Sequence, residues 1–354
     1  MKILVIALSG IGDALIFTPA LKLLRQHYPQ AEIDALVMYK GAKDIYERNS
    51  NLNKIIYFNF LKEGAFKSLN FILSLRKKYN TTINVYPSNR KEYNIISFLI
   101  GAKTKAAINY LRMDKQNLGW LNNCRIPEDD SLHNVQTNIK LIEKITGKTF
   151  GDEPDLQFDL SENDLSTASN FLNENEIIDT DLVIGFHPGT SVLKNHIKRR
   201  WEPEKFAELG IKMISEYNCK IIIFGGPDEL ELKEKIRTEI NLPNVFTTQE
   251  LNLGQSAGVM KRCNVFLSND SSLMHVASAL KLNVVGIIGP TSTNYIHPWN
   301  TEYKIVSLHL DCSPCFIYSP KPLICKRDDV KFKCIKELDV NLVFNSVKDF
   351  ISND

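Results

Sequence analysis

Polar turns rich in glycine and small residues follow the apolar runs of this 354-residue chain, and they contain the side chains best suited to chemistry. The first turn is Gly10-Ile11-Gly12-Asp13, directly after the run from Lys2 to Ala7. Glycines let the backbone turn tightly and approach a ligand at the carboxyl end of a strand. The pattern predicts a ligand site, although Asp13 could also be simply an acid stabilised by a helix dipole.

The same turn is similar to part of a dinucleotide-binding fingerprint, but two features disfavour NAD. Leu15 stands where the third glycine would be, and Val37 to Tyr39 stand where an acidic residue would bind the ribose. A dehydrogenase is therefore the weakest alternative for this chain.

A second turn, His-Pro-Gly-Thr-Ser at 187–191, has the same relation to the apolar run before it. The hydroxyls of Thr190 and Ser191, together with backbone N–H groups near the glycine, suit phosphate oxygens, which accept several hydrogen bonds. The basic run at 194–200 follows, and its cations could neutralise a diphosphate. Taken alone, such a run is more often a solvated loop. Its position beside the hydroxyls favours a phosphate site.

Three further turns follow apolar runs in the second half of the chain. Phe-Gly-Gly-Pro-Asp-Glu at 224–229 ends in two carboxylates. Helix capping alone explains Asp228, whereas Glu229 could hold ribose hydroxyls in the company of the other turns. Asn-Asp-Ser-Ser-Leu-Met-His at 269–275 places small polar residues where helix N–H groups attract anions. Its His275 falls one turn into the helix, where a histidine is more often a satisfied core residue. Gly-Pro-Thr at 289–291 is the last turn, and so many turns in one half are hard to attribute to packing.

Short apolar runs alternate with amphipathic stretches in both halves, which is typical of repeated β-α units around a parallel sheet. The last amphipathic stretch, Glu337 to Ile351, has an apolar face that must dock on another element. Gly, Pro and acidic residues between 147 and 159 predict a linker, and we place the domain boundary after residue 155. The expected strands are Lys2–Ala7, Ile33–Val37, Lys54–Phe58, Thr82–Tyr86, Lys105–Ile108, Leu182–Phe186, Lys220–Phe224, Asn264–Ser268, Asn283–Ile288 and Tyr303–Val306.

Composition and charge narrow the class of protein. The net charge of +2 argues against a nucleic-acid-binding protein, and the length suits two domains of ~150 residues. No apolar run approaches the ~18 residues of a membrane span. The first apolar stretch is too short for a secretory signal, so we expect a soluble, cytoplasmic protein.

The motifs together resemble glycosyltransferase family 9, the heptosyltransferases of lipopolysaccharide core synthesis. The resemblance rests on five features in the same order: Ser-Gly-Ile-Gly-Asp at 9–13, His-Pro-Gly-Thr-Ser at 187–191, the basic residues before Trp201, Asp-Ser-Ser…His at 270–275 and Gly-Pro-Thr at 289–291. It implies an α/β protein with the GT-B fold, two facing Rossmann-like domains with parallel sheets. It places the acceptor in residues 1–155 and the nucleotide sugar in residues 156–335. Residues 336–354 are then a helix that packs back on the first domain.

The resemblance also implies a role for each motif. Asp13 is expected to be the catalytic base, and Gly10 and Gly12 to clear space for the acceptor. Arg90, in the loop 87–91, could contact an anionic lipid-linked sugar, although a solvated loop explains it equally well. The residues expected around the donor are Thr190, Ser191, Lys198 or Arg199, Glu229, Asp270, Ser271, Ser272 and His275.

These roles predict inverting transfer of a sugar, ADP-heptose being the expected donor, to a lipopolysaccharide core or lipid-linked acceptor. Such a transfer needs a base, stabilisation of an oxocarbenium-like centre and neutralisation of the departing diphosphate. Asp13 can do the first two and the donor-side cations, hydroxyls and helix N-terminus the third, so no catalytic metal is expected. Any membrane contact would be peripheral, at the cytoplasmic face of the inner membrane. A family-9 enzyme acting on a protein or another surface glycan, and a non-catalytic nucleotide-sugar-binding protein, stay open as alternatives.

Four of the seven cysteines lie close together in the sequence: Cys312, Cys315, Cys325 and Cys334. The CxxC pair is a candidate Zn or Fe ligand pair, and the branch of the family that glycosylates autotransporter proteins uses a four-cysteine iron site. The second pair is spaced too widely for a common zinc ribbon. A structural metal and reduced thiols that pack a C-terminal loop both stay open.

Overall fold

Two parallel sheets of six strands each organise the chain in the computed structural model, which describes residues 1–317 and 321–351. Contacts divide the chain into two compact units, Met1–Asp159 and Leu160–Asp354. None of the helices in the described part of the chain is both long and apolar enough to cross a membrane.

The first unit alternates strands and helices, as its sequence periodicity predicts. The strands are β1 Lys2–Ala7, β2 Glu32–Val37, β3 Lys54–Tyr57, β4 Thr81–Asn84, β5 Thr104–Asn109 and β6 Cys124–Pro127. The helices are α1 Ile11–Ile16, α2 Thr18–His27, α3 Lys40–Glu47, α4 Gly64–Ser74, α5 Lys91–Ile100 and α6 Asn134–Thr146, with a 3-10 turn at Gly119–Leu121. The strand order is β3-β2-β1-β4-β5-β6.

The second unit repeats this arrangement. Its strands are β7 Val183–His187, β8 Lys220–Ile223, β9 Val245–Thr247, β10 Val265–Asn269, β11 Asn283–Ile287 and β12 Tyr303–Val306. Its helices are α7 Glu162–Glu174, α8 Pro203–Tyr217, α9 Leu230–Ile240, α10 Leu253–Met260, α11 Ser272–Ala279, α12 Thr293–Ile296, α13 Lys333–Lys336 and α14 Val340–Ile351, with 3-10 segments at Leu193–Arg199 and Pro227–Glu229. The strand order is β12-β11-β10-β7-β8-β9.

All ten expected strands are confirmed, each within two residues at either end. The central strands are found from sequence because a parallel sheet covered by helices on both faces needs continuous apolar runs, and every residue of β7 and β10 is buried. The two strands that the sequence did not predict, β6 and β9, both lie at a sheet edge. Both are short and only partly buried, so their sequences lack a long apolar run.

The boundary between the units lies after Asp159, slightly later than the expected position after residue 155. Leu156 and Phe158 are buried, and the N–H of Gln157 donates a hydrogen bond to Thr18 Oγ1 at 2.9 Å. Residues 156–159 therefore belong to the first unit.

The expected packing of the C-terminal helix on the first unit is corrected by the structure. The apolar face of α14, with Val343, Phe344 and Val347, is buried in the core of the second unit, where α14 contacts α8, β10, β11 and β12. Just before the helix, the Leu338 carbonyl accepts a hydrogen bond from Trp201 Nε1 at 3.0 Å. Because the apolar face of α14 is buried against the second unit, it is not available to pack on the first.

The packing of α14 predicts a difference between two neighbouring substitutions. Phe344→Ala should lower the free energy of unfolding by about 3–5 kcal/mol, because it removes a buried ring and leaves a cavity. Leu342→Ala, at a position that is 47% exposed, should change the free energy of unfolding by less than about 0.5 kcal/mol. Urea unfolding followed by tryptophan fluorescence measures both, and equal effects would contradict this packing.

Candidate active site

The strand order of the second unit reverses between β7 and β10, which pair directly. Connections leave the two strands in opposite directions at such a point, and the crevice between them is where α/β sheets bind ligands. His187 ends β7, and its Nδ1 lies 2.7 Å from Ser271 Oγ and 3.4 Å from Ser268 Oγ. This contact joins the turns that follow β7 and β10 at the carboxyl edge of the sheet.

A carboxylate from the turn after β8 completes this side of the crevice. Glu229 Oε2 accepts from the Gly226 N–H at 3.0 Å and lies 3.4 Å from His187 Nε2, while Arg200 Nη2 lies 3.5 Å from Oε1. Burial raises the pKa of Glu229, but the hydrogen bond from His187, with the Gly226 N–H and Arg200, outweighs it and holds the pKa below its ordinary value. Glu229 is therefore an anion at neutral pH and can accept hydrogen bonds from hydroxyls.

Two glycines make room for the Glu229 carboxylate. A Cβ at Gly189 would overlap its oxygens, and a Cβ at Gly225 would come within 2.8 Å of Oε2. Neither glycine has a positive φ. Their role is to provide space, which a side chain would fill.

A second buried carboxylate, Asp270, follows β10. Its Oδ2 lies 2.5 Å from Arg199 Nη1 and accepts a hydrogen bond from Thr291 Oγ1 at 2.6 Å. The Arg199 guanidinium lies 5.5 Å from the centre of the Phe316 ring, and its Nη2 lies 3.0 Å from His196 Nδ1. Arg199 is thus held on three sides, with its charge directed at Asp270.

The basic run sends neighbouring cations to different carboxylates. Arg199 pairs with Asp270 and Arg200 pairs with Glu229, whereas Lys198 is exposed. Of the two candidates left open by the sequence, the structure brings Arg199 into this group. Arg200 was missed, because a run of four cations in seven residues does not reveal which of them reaches a partner.

The two hydroxyls expected at the phosphates have different surroundings. Thr190 is buried, and its Oγ1 donates to the His196 carbonyl at 3.0 Å, so it holds the basic segment against the turn. Ser191 is exposed, and its Oγ accepts from the Leu193 N–H at 3.2 Å.

Helix α11 begins at the crevice, with Ser271 just before it and Ser272 as its first residue, both half-buried. His275 lies one turn further, 4% exposed, and its Nδ1 has no hydrogen-bond partner among the described residues. Burial lowers the pKa of His275 to about 4, although Asp270 opposes this shift. A neutral imidazole with an unused nitrogen is not the satisfied core histidine that the pattern alone suggested.

The first unit has its own reversal, between β1 and β4. Asp13 lies in the first turn of α1, and its Oδ2 accepts from the Gly10 N–H at 3.3 Å, so it does cap the helix. Burial raises the pKa of the Tyr93 hydroxyl. The positive charge of Arg90 opposes this shift, and the negative charge of Asp13 adds to it. Asp13 and Arg90, from the turns after β1 and β4, therefore both lie within electrostatic reach of the Tyr93 hydroxyl.

The two glycines before Asp13 have ordinary surroundings. Gly10 has a φ of −74°, which any residue adopts, and a Cβ there would meet nothing within 4 Å. Gly12 is a half-buried residue of α1. Open space beside Gly10 agrees with a binding surface, but the backbone itself does not require glycine at this position.

The four C-terminal cysteines lie near one another. Burial raises the pKa of Cys334 to about 11, and the nearby charges of the three other cysteines contribute to this shift. Cys325 Sγ accepts from the Phe332 N–H at 3.2 Å, and Arg327 donates to Cys312 Sγ at 3.6 Å. Within residues 1–317 and 321–351, however, no three His, Cys, Asp or Glu side chains are placed to hold a metal ion. The described side chains therefore do not form the three-ligand set that the candidate Zn or Fe site would need.

Comparison with known proteins decides the family. The family model of glycosyltransferase family 9 (heptosyltransferase) matches residues 70–322. This chain belongs to glycosyltransferase family 9. The family 9 chain is 27% identical over 323 residues to lipopolysaccharide heptosyltransferase 2 of Escherichia coli K12, covering 87% of this chain and 88% of that relative.

Two solved structures share the fold of this chain. The E. coli ADP-heptose lipopolysaccharide heptosyltransferase II has a TM-score of 0.74 at 21% identity, covering 100% of this chain and 99% of that one. A family 9 glycosyltransferase from Veillonella parvula DSM 2008 has a TM-score of 0.77 at 21% identity, covering 100% and 97%. The GT-B fold class is thereby confirmed, and the family makes this protein a glycosyltransferase.

The buried His275 predicts part of the pH dependence of stability. Its folded pKa of about 4 lies below the ordinary 6.5, so the unfolded chain takes up the proton first as the pH falls. Stability is then lost from about pH 6.5 down to about pH 4, by about 2 kcal/mol between pH 7 and pH 5. His275→Gln should remove this component. Urea unfolding of both proteins at pH 7 and 5 measures it, and parallel losses would contradict the lowered pKa.

Proposed function

We propose that this family 9 glycosyltransferase transfers heptose from ADP-heptose to a lipopolysaccharide core or lipid-linked acceptor, with inversion and without a catalytic metal. The observation that carries the proposal is the group of two arginines and two carboxylates, Arg199 with Asp270 and Arg200 with Glu229, at the reversal point of the second sheet. The names of the relatives, lipopolysaccharide heptosyltransferase 2 and ADP-heptose lipopolysaccharide heptosyltransferase II, suggest the sugar and the pathway.

The second unit has the chemistry needed for an ADP-sugar. Glu229 is an anionic acceptor for the two ribose hydroxyls. The Arg199 and Arg200 side chains are 11% and 15% exposed, so part of each cation remains accessible to a diphosphate. The Ser191 hydroxyl and the N-terminus of α11 add neutral donors at the same edge. These groups could neutralise the departing ADP without a divalent cation.

The first unit supplies the base. In the proposed reaction the acceptor hydroxyl gives its proton to Asp13 as its oxygen bonds to the anomeric carbon. The bond from that carbon to the diphosphate oxygen breaks, and its electron pair leaves with ADP. Attack from the side opposite the leaving group inverts the anomeric centre, and the Asp13 carboxylate also stabilises positive charge that develops there.

The acceptor side is assigned to the same edge of the first unit. Gly10 leaves open space beside Asp13, and Arg90 provides a cation for an anionic core sugar. An acceptor that is linked to lipid would be reached at the cytoplasmic face of the inner membrane, where we place the reaction.

Asp13→Asn tests the base. The variant should lose transfer by about 10²–10⁴-fold, because the amide cannot accept the hydroxyl proton, and it should keep the affinity for ADP. Heptose transfer from ADP-heptose to heptose-deficient lipopolysaccharide measures the first, and calorimetric titration with ADP measures the second. Asp152→Asn, at an exposed position of the first unit, is the matched control.

Three results would contradict the proposal in different ways. Near wild-type turnover of Asp13→Asn would remove Asp13 from the base role. Loss of transfer with a chelator, at saturating donor, would show that a metal takes part. Absence of ADP binding by the wild type would leave the donor assignment wrong.

The C-terminal thiols are expected to be reduced and free of metal. Protein purified without added metal should contain well under one Zn or Fe per chain by elemental analysis, because the described cysteines do not form a three-ligand set. Titration in denaturant should find seven reactive thiols. One bound metal per chain, lost in Cys325→Ser, would restore the structural metal site.

A further inference from the structure

Helix α4 of the first unit presents large apolar side chains to solvent. Phe66 is 77% exposed, and Leu69 and Leu73 are 43% and 40% exposed. Their spacing of three and four residues places them on one side of the helix. Leu61, in the turn before the helix, is 66% exposed and extends this apolar row.

The fold does not account for this row, because α4 already has another side in the core. Ile72 is buried there, and Phe71 stacks on Phe58 with ring centres 4.0 Å apart. The helix is thus apolar on two sides, one that holds it to the sheet and one that faces water. Exposing several large apolar groups together is unfavourable and usually marks a binding surface.

Cations flank the exposed row at both ends. Lys62 and Lys67 lie at its start and Arg76, Lys77 and Lys78 at its end, all exposed. Residues 61–78 contain these five cations and one acid, a net charge of +4, against +2 for the whole chain. Positive charge is therefore concentrated around the apolar row.

Topology places the start of this row at the reactive edge of the first unit. In a parallel β-α unit the helix begins at the edge where the preceding strand ends, so Leu61 and Phe66 lie toward the carboxyl edge. The turn Gly10–Asp13 and Arg90 lie at that same edge.

We propose that an anionic lipid bilayer covers the α4 surface, defined as Leu61, Phe66, Leu69 and Leu73 with the five flanking cations. The apolar row enters the boundary between headgroups and acyl chains, and the cations pair with anionic headgroups. This proposal rests on the proposed function and deepens it, because a lipid-linked acceptor is presented by such a bilayer.

The charge pattern favours a bilayer over a protein partner. Protein interfaces are depleted in lysine, and their binding energy concentrates in pockets that take aromatic or arginine anchors. Here three apolar side chains of the helix and Leu61 in the preceding turn are bordered by lysines and an arginine. A fluid surface of uniform negative charge complements that pattern without requiring a shaped pocket.

Vesicle cosedimentation of the full chain tests the α4 surface. The wild type should bind vesicles of phosphatidylcholine with about 30% phosphatidylglycerol and bind pure phosphatidylcholine much more weakly. Phe66→Ser, Leu69→Ser and Leu73→Ser combined should lower the partition coefficient on the order of tenfold or more. The matched control combines Leu165→Ser, Ile178→Ser and Leu230→Ser, which are 43%, 60% and 44% exposed in the second unit.

A second variant separates the electrostatic part. Lys62→Ser with Lys67→Ser should weaken binding to the anionic vesicles and make it less sensitive to salt. Unchanged binding in the apolar triple variant would overturn the proposal. So would wild-type self-association that the triple variant abolishes without any vesicle binding, because the surface would then join copies of the chain.

Activity measurements separate this proposal from the proposed function. The triple variant should keep wild-type transfer to detergent-dispersed acceptor and lose transfer to acceptor embedded in vesicles. If the wild type binds vesicles but does not transfer heptose, the proposed function is contradicted and the proposal of a lipid-binding α4 surface is supported. If the wild type transfers heptose normally but does not bind vesicles, the lipid-binding α4 surface is contradicted and the proposed function is supported.

Discussion

Each sheet reverses its strand order between two neighbouring parallel strands, β1 and β4 in the first unit and β7 and β10 in the second. Parallel strands all run in one direction, so the turns that follow them all lie at the same edge of the sheet. Where the order reverses, the connections that leave the two neighbouring strands run in opposite directions, and a crevice lies between them. Each motif of this chain that contains candidate catalytic or binding residues follows a strand, and the fold therefore brings it to such an edge.

Burial then decides how the crevice of the second unit is built. Asp270 and Glu229 are removed from much of the solvent, and a buried carboxylate is costly unless a cation or several donors compensate it. Arg199 and Arg200 do this from one irregular segment. Trp201, which follows them, is completely buried, and its backbone N–H donates a hydrogen bond to Asn269 Oδ1 at 3.1 Å. The arginines are thus positioned by the core of the second unit.

The C-terminal helix contributes to that same core. Its Phe344 and Val347 belong to the same apolar core as Trp201, whose indole N–H donates to the Leu338 carbonyl. The apolar pattern of the helix predicted that it must dock, and this was correct. Which unit receives it depends on the shape of two surfaces, and a periodicity carries no information about shape. The edge strands β6 and β9 were not predicted because Cys-Arg-Ile-Pro and Val-Phe-Thr lack the paired Ile or Val residues of the other two edge strands, β3 and β12.

The sequence alone determined the central strands, the turns that end them and the resemblance to family 9, because burial on both faces and glycine-rich turns impose local patterns on residues. It also singled out Asp13, Glu229 and Asp270. Only the tertiary structure chose Arg199 over Lys198, added Arg200 and left a nitrogen of the buried His275 without a partner within residues 1–317 and 321–351. Those choices depend on distances between segments that are far apart in the chain, which the fold sets and the local sequence does not.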